Sequence, residues 1–473
     1  MEVNIAIIGA GAAGLVVAIG AAKGGKKVLL IEKGQYGGDC TNFGCIPSKT
    51  LIASAKVAHS LRLGKKFGLG FEEVSFDASK ALDRVRATIA GVRSHEEPEA
   101  LEKMGVATLT GVASFIDPHT LSVKTEEKEV HVKAKKIVLA CGSHPYIPPI
   151  DGLKEAPYLT NETIFDLQEI PGSLAILGAG PIGCELAQAM SRLGSMVTII
   201  HSLRGLLPNE EPEVQEVMEA HFKKEGIVMH LGCAANQVSY ENGRFSICID
   251  DKGEHKTIEA DHLLVATGRR VSIADLNLEN AKVSYSEKGI PIDRYGRTST
   301  PHIFAIGDVV GPPFFTHLAE NQARSVLTTL LLPSLLKRKI DPQPTPRCTF
   351  TDPEVASFGL LEKEAAKKWS QTKVATYTLS LSEVDRAITM GRTEGFIKVV
   401  TKKWSSKILG ATIVAPRAGE MLPELSLAAL HHIPLRKLTR LIHPYPTYNG
   451  GIRKCADLWL TKTILPLFKR KPS

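Results

Sequence analysis

Val3-Asn4-Ile5-Ala6-Ile7-Ile8-Gly9-Ala10-Gly11-Ala12-Ala13-Gly14 is an apolar run that ends in a glycine-rich turn, and small residues follow it to about Lys23. The pattern predicts a strand, a tight turn and a helix. A second apolar run, Val28 to Ile31, closes on Glu32. Strand, Gly-x-Gly-x-x-Gly, helix, strand and acid make the fingerprint of a dinucleotide-binding βαβ unit. The first glycine permits the turn, the second lets a pyrophosphate approach the backbone, and the third lets helix and strand pack closely. Gly9, Gly11, Ala13 and Gly14 are therefore expected to cradle a phosphate. Glu32, with Lys33 beside it, stands where ribose hydroxyls would bond.

The pattern recurs. Leu174 to Leu177 leads into Gly178-Ala179-Gly180-Pro181-Ile182-Gly183, a helix to Leu193 and a strand from Met196 to Ile200. Gly178, Gly180, Ile182 and Gly183 form the second expected cradle. Each unit closes on a similar strand, Lys136 to Gly142 in the first and Leu263 to Gly268 in the second. Their small residues Ala140, Gly142 and Gly268, with Arg269 next, let a cofactor come close. The fold class expected is α/β with two Rossmann-like units, and the internal match points to a duplication. Glu32 lies 23 residues beyond Gly9, whereas the residue 23 beyond Gly178 is His201. No carboxylate stands there to meet a ribose 2′-hydroxyl. His201, Ser202 and Arg204 form a set suited to a 2′-phosphate, so NADPH is expected, with NADH as the alternative. The competing reading is a variable solvent-facing loop.

Between the strands of the first unit lies Gly37-Gly38-Asp39-Cys40-Thr41-Asn42-Phe43-Gly44-Cys45-Ile46-Pro47-Ser48-Lys49. Ile46 to His59 reads as a helix with Pro47 in its first turn. Cys45 then sits at a helix N-terminus, where unpaired N–H groups and the helix dipole favour a thiolate. Lys49 lies one turn further on the same face. Within one continuous helix the two cysteines would stand about 7.5 Å apart along the axis, beyond the reach of a bridge. Asn42-Phe43-Gly44 must therefore turn back. Two cysteines at this spacing also occur as structural neighbours, but the context favours a redox-active pair.

This stretch resembles the active disulfide of the class I pyridine nucleotide-disulfide oxidoreductases, the flavoenzyme family of glutathione reductase, dihydrolipoyl dehydrogenase and mercuric reductase. The resemblance implies that Cys40 is the interchange thiol, that Cys45 is the thiol against the flavin, and that Lys49 is the cation beside it. Glu185, on the second helix, would pair with Lys49 and give a buried cation its counter-charge. Thr300-Pro301-His302-Ile303-Phe304-Ala305-Ile306-Gly307-Asp308-Val309 is similar to the family's second flavin motif, so Gly307 and Asp308 are expected at the ribityl chain of FAD. Gly38 and Ala113, the latter in a predicted strand from Gly111 to Phe115, join the expected FAD-binding residues.

A helical stretch is expected from Ala78 to Met104, and Pro145-Tyr146-Ile147-Pro148-Pro149 marks a crossing between domains. The expected division is an FAD-binding domain of residues 1–148 and 271–340, an NAD(P)-binding domain of 149–270, and a C-terminal domain of 341–473 after the linker Pro342 to Pro346. Runs at Phe396 to Val400 and Ile408 to Val414 predict antiparallel strands, and Gly419 to His431 a helix. The resemblance makes this an α+β dimerisation domain that completes each active site across a homodimer. The related His-Pro-Thr-x-x-Glu motif is altered here to His443-Pro444-Tyr445-Pro446-Thr447-Tyr448-Asn449-Gly450. Tyr445 takes the histidine's place and Gly450 the glutamate's, which resembles the mercuric-reductase branch, although the C-terminal run Leu465 to Lys471 holds no cysteine pair. Tyr445 and His443 are expected at the acceptor site. An imidazole titrates near neutral pH, and two residues along an extended segment it keeps the same face.

The 473 residues, 43% hydrophobic, suffice for three cores. A formal charge of +8 without a basic stripe argues against nucleic acid. Eight cysteines, six of them scattered without metal or disulfide spacing, favour a reducing compartment, and no metal site is expected. No apolar run is long enough to span a bilayer, so the cytoplasm is expected, without firm membrane association. Leu458 to Leu465 is expected to pack rather than touch a membrane. The function expected is NAD(P)H-driven reduction of a small-molecule disulfide, metal ion or quinone. The alternatives are a dihydrolipoyl dehydrogenase with altered acid-base residues and a slow FAD redox sensor.

Overall fold

The computed structural model describes residues 1–70, 77–251, 253–341 and 344–468. Its first sheet is built around Glu2–Ile8, which pairs in parallel with Val28–Glu32 on one side and Glu129–Leu139 on the other. These strands are apolar on both faces because the helices Ala12–Lys23 and Thr316–Leu331 cover one, and Phe115, Leu121, Val123 and the segment from Leu276 to Ile290 cover the other. The long strand Glu129–Leu139 serves two purposes. Its first half pairs antiparallel with Thr120–Lys124, and its last residues pair in parallel with Ile303–Ala305. Ile303–Ala305 thus returns to the first unit after the whole second unit has intervened. Val106–Thr110 completes the far edge beside Val28–Glu32.

The second unit has four parallel strands in the order Val228–Leu231, Met196–His201, Ser173–Leu177, His262–Val265. An antiparallel meander, Ala235–Glu241, Arg244–Asp251 and Glu254–Ala260, packs against it through Val238, Phe245 and Ile247. Between the units runs a two-stranded ribbon in which Ser143–Pro145 pairs antiparallel with Arg269–Val271. The exit and return of the chain therefore lie side by side. The C-terminal unit is a five-stranded antiparallel sheet of Arg347–Thr349, Glu354–Gly359, Ile408–Ala415, Phe396–Lys402 and Val374–Ser380, covered by Ala418–Leu430. Charge ties it to the second unit. Buried Lys398 lies 3.3, 2.7 and 2.8 Å from Glu211, Glu213 and Glu362, and Arg192 joins Glu225 at 2.7 Å to Asp352 at 2.9 Å.

Some expectations need correction. The stretch Ala78 to Met104 is two helices, Ser79–Arg93 and Pro98–Lys103, because Pro98 cannot continue the first and starts the second. The strand expected to reach Gly142 ends at Leu139, and its counterpart spans His262–Val265. In both, the small residues beyond leave the sheet to lie across the glycine turn. Ala113 spends its side chain on the core with Phe115 and Leu121. The predicted strands around Val399 and Ala411 and the helix after Arg417 are present. Pro342 and Gln343 of the linker, and the basic end Lys469 to Lys471, lie outside the described residues.

Candidate active site

Gly38–Asn42 forms a short helical turn, Phe43 and Gly44 break it, and Cys45–Arg62 starts a new helix capped by Gly44. The reversal brings the two cysteine side chains within reach of each other. The proton is shared unequally. The Cys40 S–H donates to Cys45, which raises the Cys40 pKa, and burial raises it further. That same bond is the first cause of a Cys45 pKa near 6; burial opposes it, and Thr316 and Lys49 assist. The Thr316 hydroxyl lies 3.4 Å from Cys45 Sγ. The pair is thus polarised, with Cys45 drawn towards the thiolate and Cys40 towards the thiol.

Lys49 Nζ lies 2.7 Å from Glu185 Oε2, while Glu185 Oε1 accepts the Phe350 N–H at 2.8 Å. The Phe350 ring sits 4.7 Å from the ammonium. Lysine, glutamate and phenylalanine come from the first, second and C-terminal units, so all three meet at the redox pair. The expectation of a buried cation is corrected in one respect. The Lys49 side chain is 37% exposed and Glu185 only 6%, so the buried partner is the carboxylate, and Lys49 keeps an open side.

Asp308 accepts the Ser143 hydroxyl at 2.6 Å, and burial raises its pKa. Gly307 N–H donates to Gln322 at 2.7 Å, fixing the turn before the helix Thr316–Leu331. Arg269, expected among the cofactor-binding residues, reaches the first unit. It donates to Ser143 Oγ at 2.8 Å and pairs with Asp39 at 3.1 Å, next to Cys40. Asn161 also donates to Asp39, at 3.0 Å.

At the phosphate turns the sequence reading and the structure agree closely. Gly9 has φ +104°, and a methyl group placed on it would lie 2.3 Å from the Ala140 carbonyl oxygen. Glu32 accepts the Ala10 N–H at 2.7 Å and the Gly34 N–H at 2.9 Å, which holds its carboxylate at the end of the strand. Gly11 and Gly180 each precede a helix with their N–H ends open, a cradle that fits a dinucleotide pyrophosphate. Lys33 lies apart, exposed and 3.5 Å from Asp275. In the second unit Ser202 and Arg204 are exposed, but His201 is half-buried and burial lowers its pKa, which disfavours its charged form. Of the three residues expected to meet a 2′-phosphate, Ser202 and Arg204 are the exposed ones.

The strongest departure is at His443. It does not face outward with Tyr445. Its side chain is 9% exposed, with Nε2 3.1 Å from both carboxylate oxygens of Glu424, which also accepts the Asn449 amide at 2.8 Å. Tyr445, in contrast, is 81% exposed. A histidine–glutamate pair therefore exists after all, built with a glutamate 19 residues before the histidine. No spacing in the sequence signals that contact. Thr316, Asp39, Asn161 and Phe350 were also missed; a threonine opening the helix after the flavin motif was the one available signal.

Residues 3–323 match the pyridine nucleotide-disulphide oxidoreductase profile, and residues 345–456 match the dimerisation domain of the same family. The chain belongs to the pyridine nucleotide-disulfide oxidoreductases. It is similar to a mercuric reductase of Staphylococcus aureus, 33% identical over 467 residues that cover 98% of this chain and 84% of the relative. A dihydrolipoyl dehydrogenase of Chlamydia muridarum is 32% identical over 466 residues, covering 97% of this chain and 96% of the relative. Among solved structures, the Cu(II) complex of the HOCl-induced flavoprotein disulfide reductase RclA from Escherichia coli matches with a TM-score of 0.87 and 28% identity, over 97% of this chain and 99% of that one. The oxidoreductase is thus an FAD-dependent enzyme that takes its electrons from NAD(P)H. No described helix is long and apolar enough to cross a membrane.

Proposed function

We propose that this oxidoreductase is an NADPH-driven reductase that passes two electrons through Cys40 and Cys45 to a small disulfide, metal ion or quinone. The observation that carries the reading is the meeting of Cys40 and Cys45 with Thr316 and with Lys49, itself anchored by Glu185, where the three units join. FAD, when bound, supplies hydride acceptance from the nicotinamide and hands the electron pair to the protein. Glu32 and the Gly9 turn would hold its ribose and pyrophosphate, and Asp308 its ribityl chain. Lys49, anchored by Glu185, stabilises the thiolate. With a disulfide acceptor, Cys40 loses its proton and attacks one sulfur, and the first thiolate leaves. Cys45 then attacks Cys40, the second thiolate leaves, and the protein disulfide re-forms. The sum is NADPH + H⁺ + RSSR → NADP⁺ + 2 RSH.

Because Cys40 holds its proton, exchange requires a base or a donor at the acceptor side. We assign that side to Tyr445 and the segment around it, in a homodimer that brings the segment of one copy to the cysteines of the other. The cytoplasm is the compartment we propose, because six of the eight cysteines are scattered without disulfide spacing. An anaerobic screen that follows NADPH consumption against disulfides, Hg(II), Cu(II) and quinones tests the reading; consumption by no acceptor would leave the sensor alternative. The His443–Glu424 pair favours a second reading, dihydrolipoyl dehydrogenase, which reduction of NAD⁺ by dihydrolipoamide would single out.

A further inference from the structure

The turn that carries Cys40 begins at two glycines of positive φ, Gly37 at +95° and Gly38 at +62°, and Gly44 follows its end. Glycine backbone has more freedom to lose than any other, so such a turn keeps one shape only if side chains hold it. One hold is local. The Asn42 amide donates to the Tyr36 and Gly38 carbonyls at 2.9 and 3.0 Å. The other ends on Asp39, the residue before Cys40 and the one acid between Gly37 and Lys49. It comes from both flanks of the second unit, Asn161 ahead of the strand Ser173–Leu177 and Arg269 after His262–Val265. Asn161, buried, donates to Asp39 Oδ1 at 3.0 Å and to the Phe43 carbonyl at 3.3 Å, and an Arg269 Nη2 lies 3.1 Å from the same Oδ1.

Arg269 is set in place before Asp39 is counted. Its Nε and Nη2 donate to the Ser143 hydroxyl and carbonyl at 2.8 and 3.0 Å, and that hydroxyl donates to Asp308 at 2.6 Å. A guanidinium already ordered in this way gives up little further freedom on meeting a carboxylate, which separates the contact from a free surface ion pair. The charge of Asp39 works against the thiolate, since it raises the Cys45 pKa while Cys40, Thr316 and Lys49 lower it. A carboxylate that opposes the thiolate by charge, yet is gripped by two donors from outside its own unit, serves the pair by position. We propose that Asp39 is a positioning residue for Cys40, through which Asn161 and Arg269 hold the Gly38–Asn42 turn against the start of the helix Cys45–Arg62. This rests on the reading above of Cys40 and Cys45 as the redox pair and names the contact that keeps the two sulfurs together.

The test holds the FAD-loaded protein anaerobically in mixtures of reduced and oxidised glutathione, quenches with acid and counts alkylated thiols by mass spectrometry. Forming the Cys40–Cys45 bond takes two protons and two electrons from the pair and converts one GSSG to two GSH, so the equilibrium constant reports how well the sulfurs are held together. Asp39→Ala should lower that constant at least tenfold, the worth of about one charge-assisted hydrogen bond. It should also move the alkylation midpoint of Cys45 from near 6 towards the ordinary value of about 8.5, because the Cys40 contact loosens. Asp39→Asn keeps an acceptor for Asn161 and loses the ion pair, so it should fall between Asp39→Ala and wild type. Arg269→Lys keeps the charge and should stay closer to wild type than Arg269→Gln. Flavin content and melting temperature identify a variant that has failed to fold, in which case Asn161→Ala, which weakens the same hold, should change both readouts in the same direction. A wild-type equilibrium constant in a folded Asp39→Ala protein overturns the inference. So does a Cys45 midpoint at or below the wild-type one, since Asp39 would then act by charge alone. Neither readout needs an acceptor. Both changes in a protein that reduces no acceptor support the positioning role while the reductase reading falls alone, and an unchanged Asp39→Ala in a protein that does reduce one leaves only the reductase reading standing. A wild-type pair that forms no disulfide even in oxidised glutathione removes both.

Discussion

The two dinucleotide units share a turn almost atom for atom and differ in what they attach to it. A methyl group on Gly178 would lie 2.3 Å from the Ala266 carbonyl oxygen, as one on Gly9 would from Ala140. The third glycines match as well, since a methyl group would meet the preceding turn at 1.9 Å on Gly14 and 2.1 Å on Gly183. Each unit also places a cysteine in the first turn of a helix, Cys45 in one and Cys184 in the other. There the likeness ends. Cys45 has Cys40, Thr316 and Lys49 around it and is pulled down to about 6, whereas Cys184 is fully buried and its pKa is raised by desolvation and then by Glu185. A helix N-terminus therefore does not make a thiolate by itself. The polar partners decide, and only the first unit supplies them.

The hardest test of this parallel is to close each turn. Valine at a positive φ costs about 1–3 kcal/mol in backbone strain alone, and its Cβ would overlap a carbonyl in both units. Gly9→Val should be purified without flavin and inactive. Gly178→Val should keep its flavin and lose reduction by NADPH at least a hundredfold in stopped-flow measurements. Loss of flavin from both variants would mean that the units are not independent cradles.

The second test concerns the thiolate. In the reduced enzyme, alkylation of Cys45 by iodoacetamide should rise with pH through a midpoint near 6, because a lowered pKa leaves the thiolate present above that pH and protonates it below. Cys40→Ser keeps a donor and should keep the low midpoint. Cys40→Ala removes the largest stabilising contact and should move the midpoint towards the ordinary thiol value of about 8.5. Cys184 should stay unmodified in the native protein throughout. A midpoint that ignores the Cys40→Ala change would return the credit to the helix dipole.

The third test exchanges the strand ends. His201→Glu places in the second unit the acid that the first carries as Glu32. If Arg204 and Ser202 hold a 2′-phosphate, the variant should shift the ratio of NADPH to NADH efficiency towards NADH by about tenfold to a hundredfold, the worth of one charge-assisted contact. Wild-type efficiencies that are equal for the two cofactors would remove the premise.

What the sequence disclosed and what it hid follow one physical rule. Gly9, Gly178 and Cys45 were legible because local backbone chemistry demands those residues at those offsets from a strand or a helix start, whereas Asp308 was legible only through family resemblance. Glu185 with Lys49 was legible only through family resemblance, since 136 residues separate them. The partners of Arg269 and His443 escaped the sequence for one reason. Each is a side chain whose partner, Asp39 or Glu424, lies on another element, and no periodicity records a tertiary ion pair. Pro98 was a local signal that the long helical reading passed over.

The smallest effects should come from the segment outside both units. Tyr445 is exposed and makes no part of either cradle, so Tyr445→Phe should leave the rate of flavin reduction by NADPH unchanged and lower acceptor reduction several-fold, through loss of one neutral hydrogen bond of about 0.5–1.5 kcal/mol. His443 acts at one remove. It is pinned against Glu424, and Asn449 holds the same carboxylate, so together they fix the backbone on either side of Tyr445. His443→Gln retains a donor for Glu424 and should weaken acceptor turnover less than Tyr445→Phe does. Glu424→Leu strands the imidazole and the Asn449 amide and should lower thermal stability as well as turnover. The discriminating measurement is the pH profile of acceptor reduction. If His443 only positions the segment, His443→Gln shifts the height of the profile and leaves its midpoints where they were. If the imidazole instead exchanges a proton with Cys40 of the partner subunit, the limb governed by histidine ionisation disappears in His443→Gln, and the reading of Tyr445 as the acceptor-side donor gives way to a histidine–glutamate dyad assembled from a different glutamate.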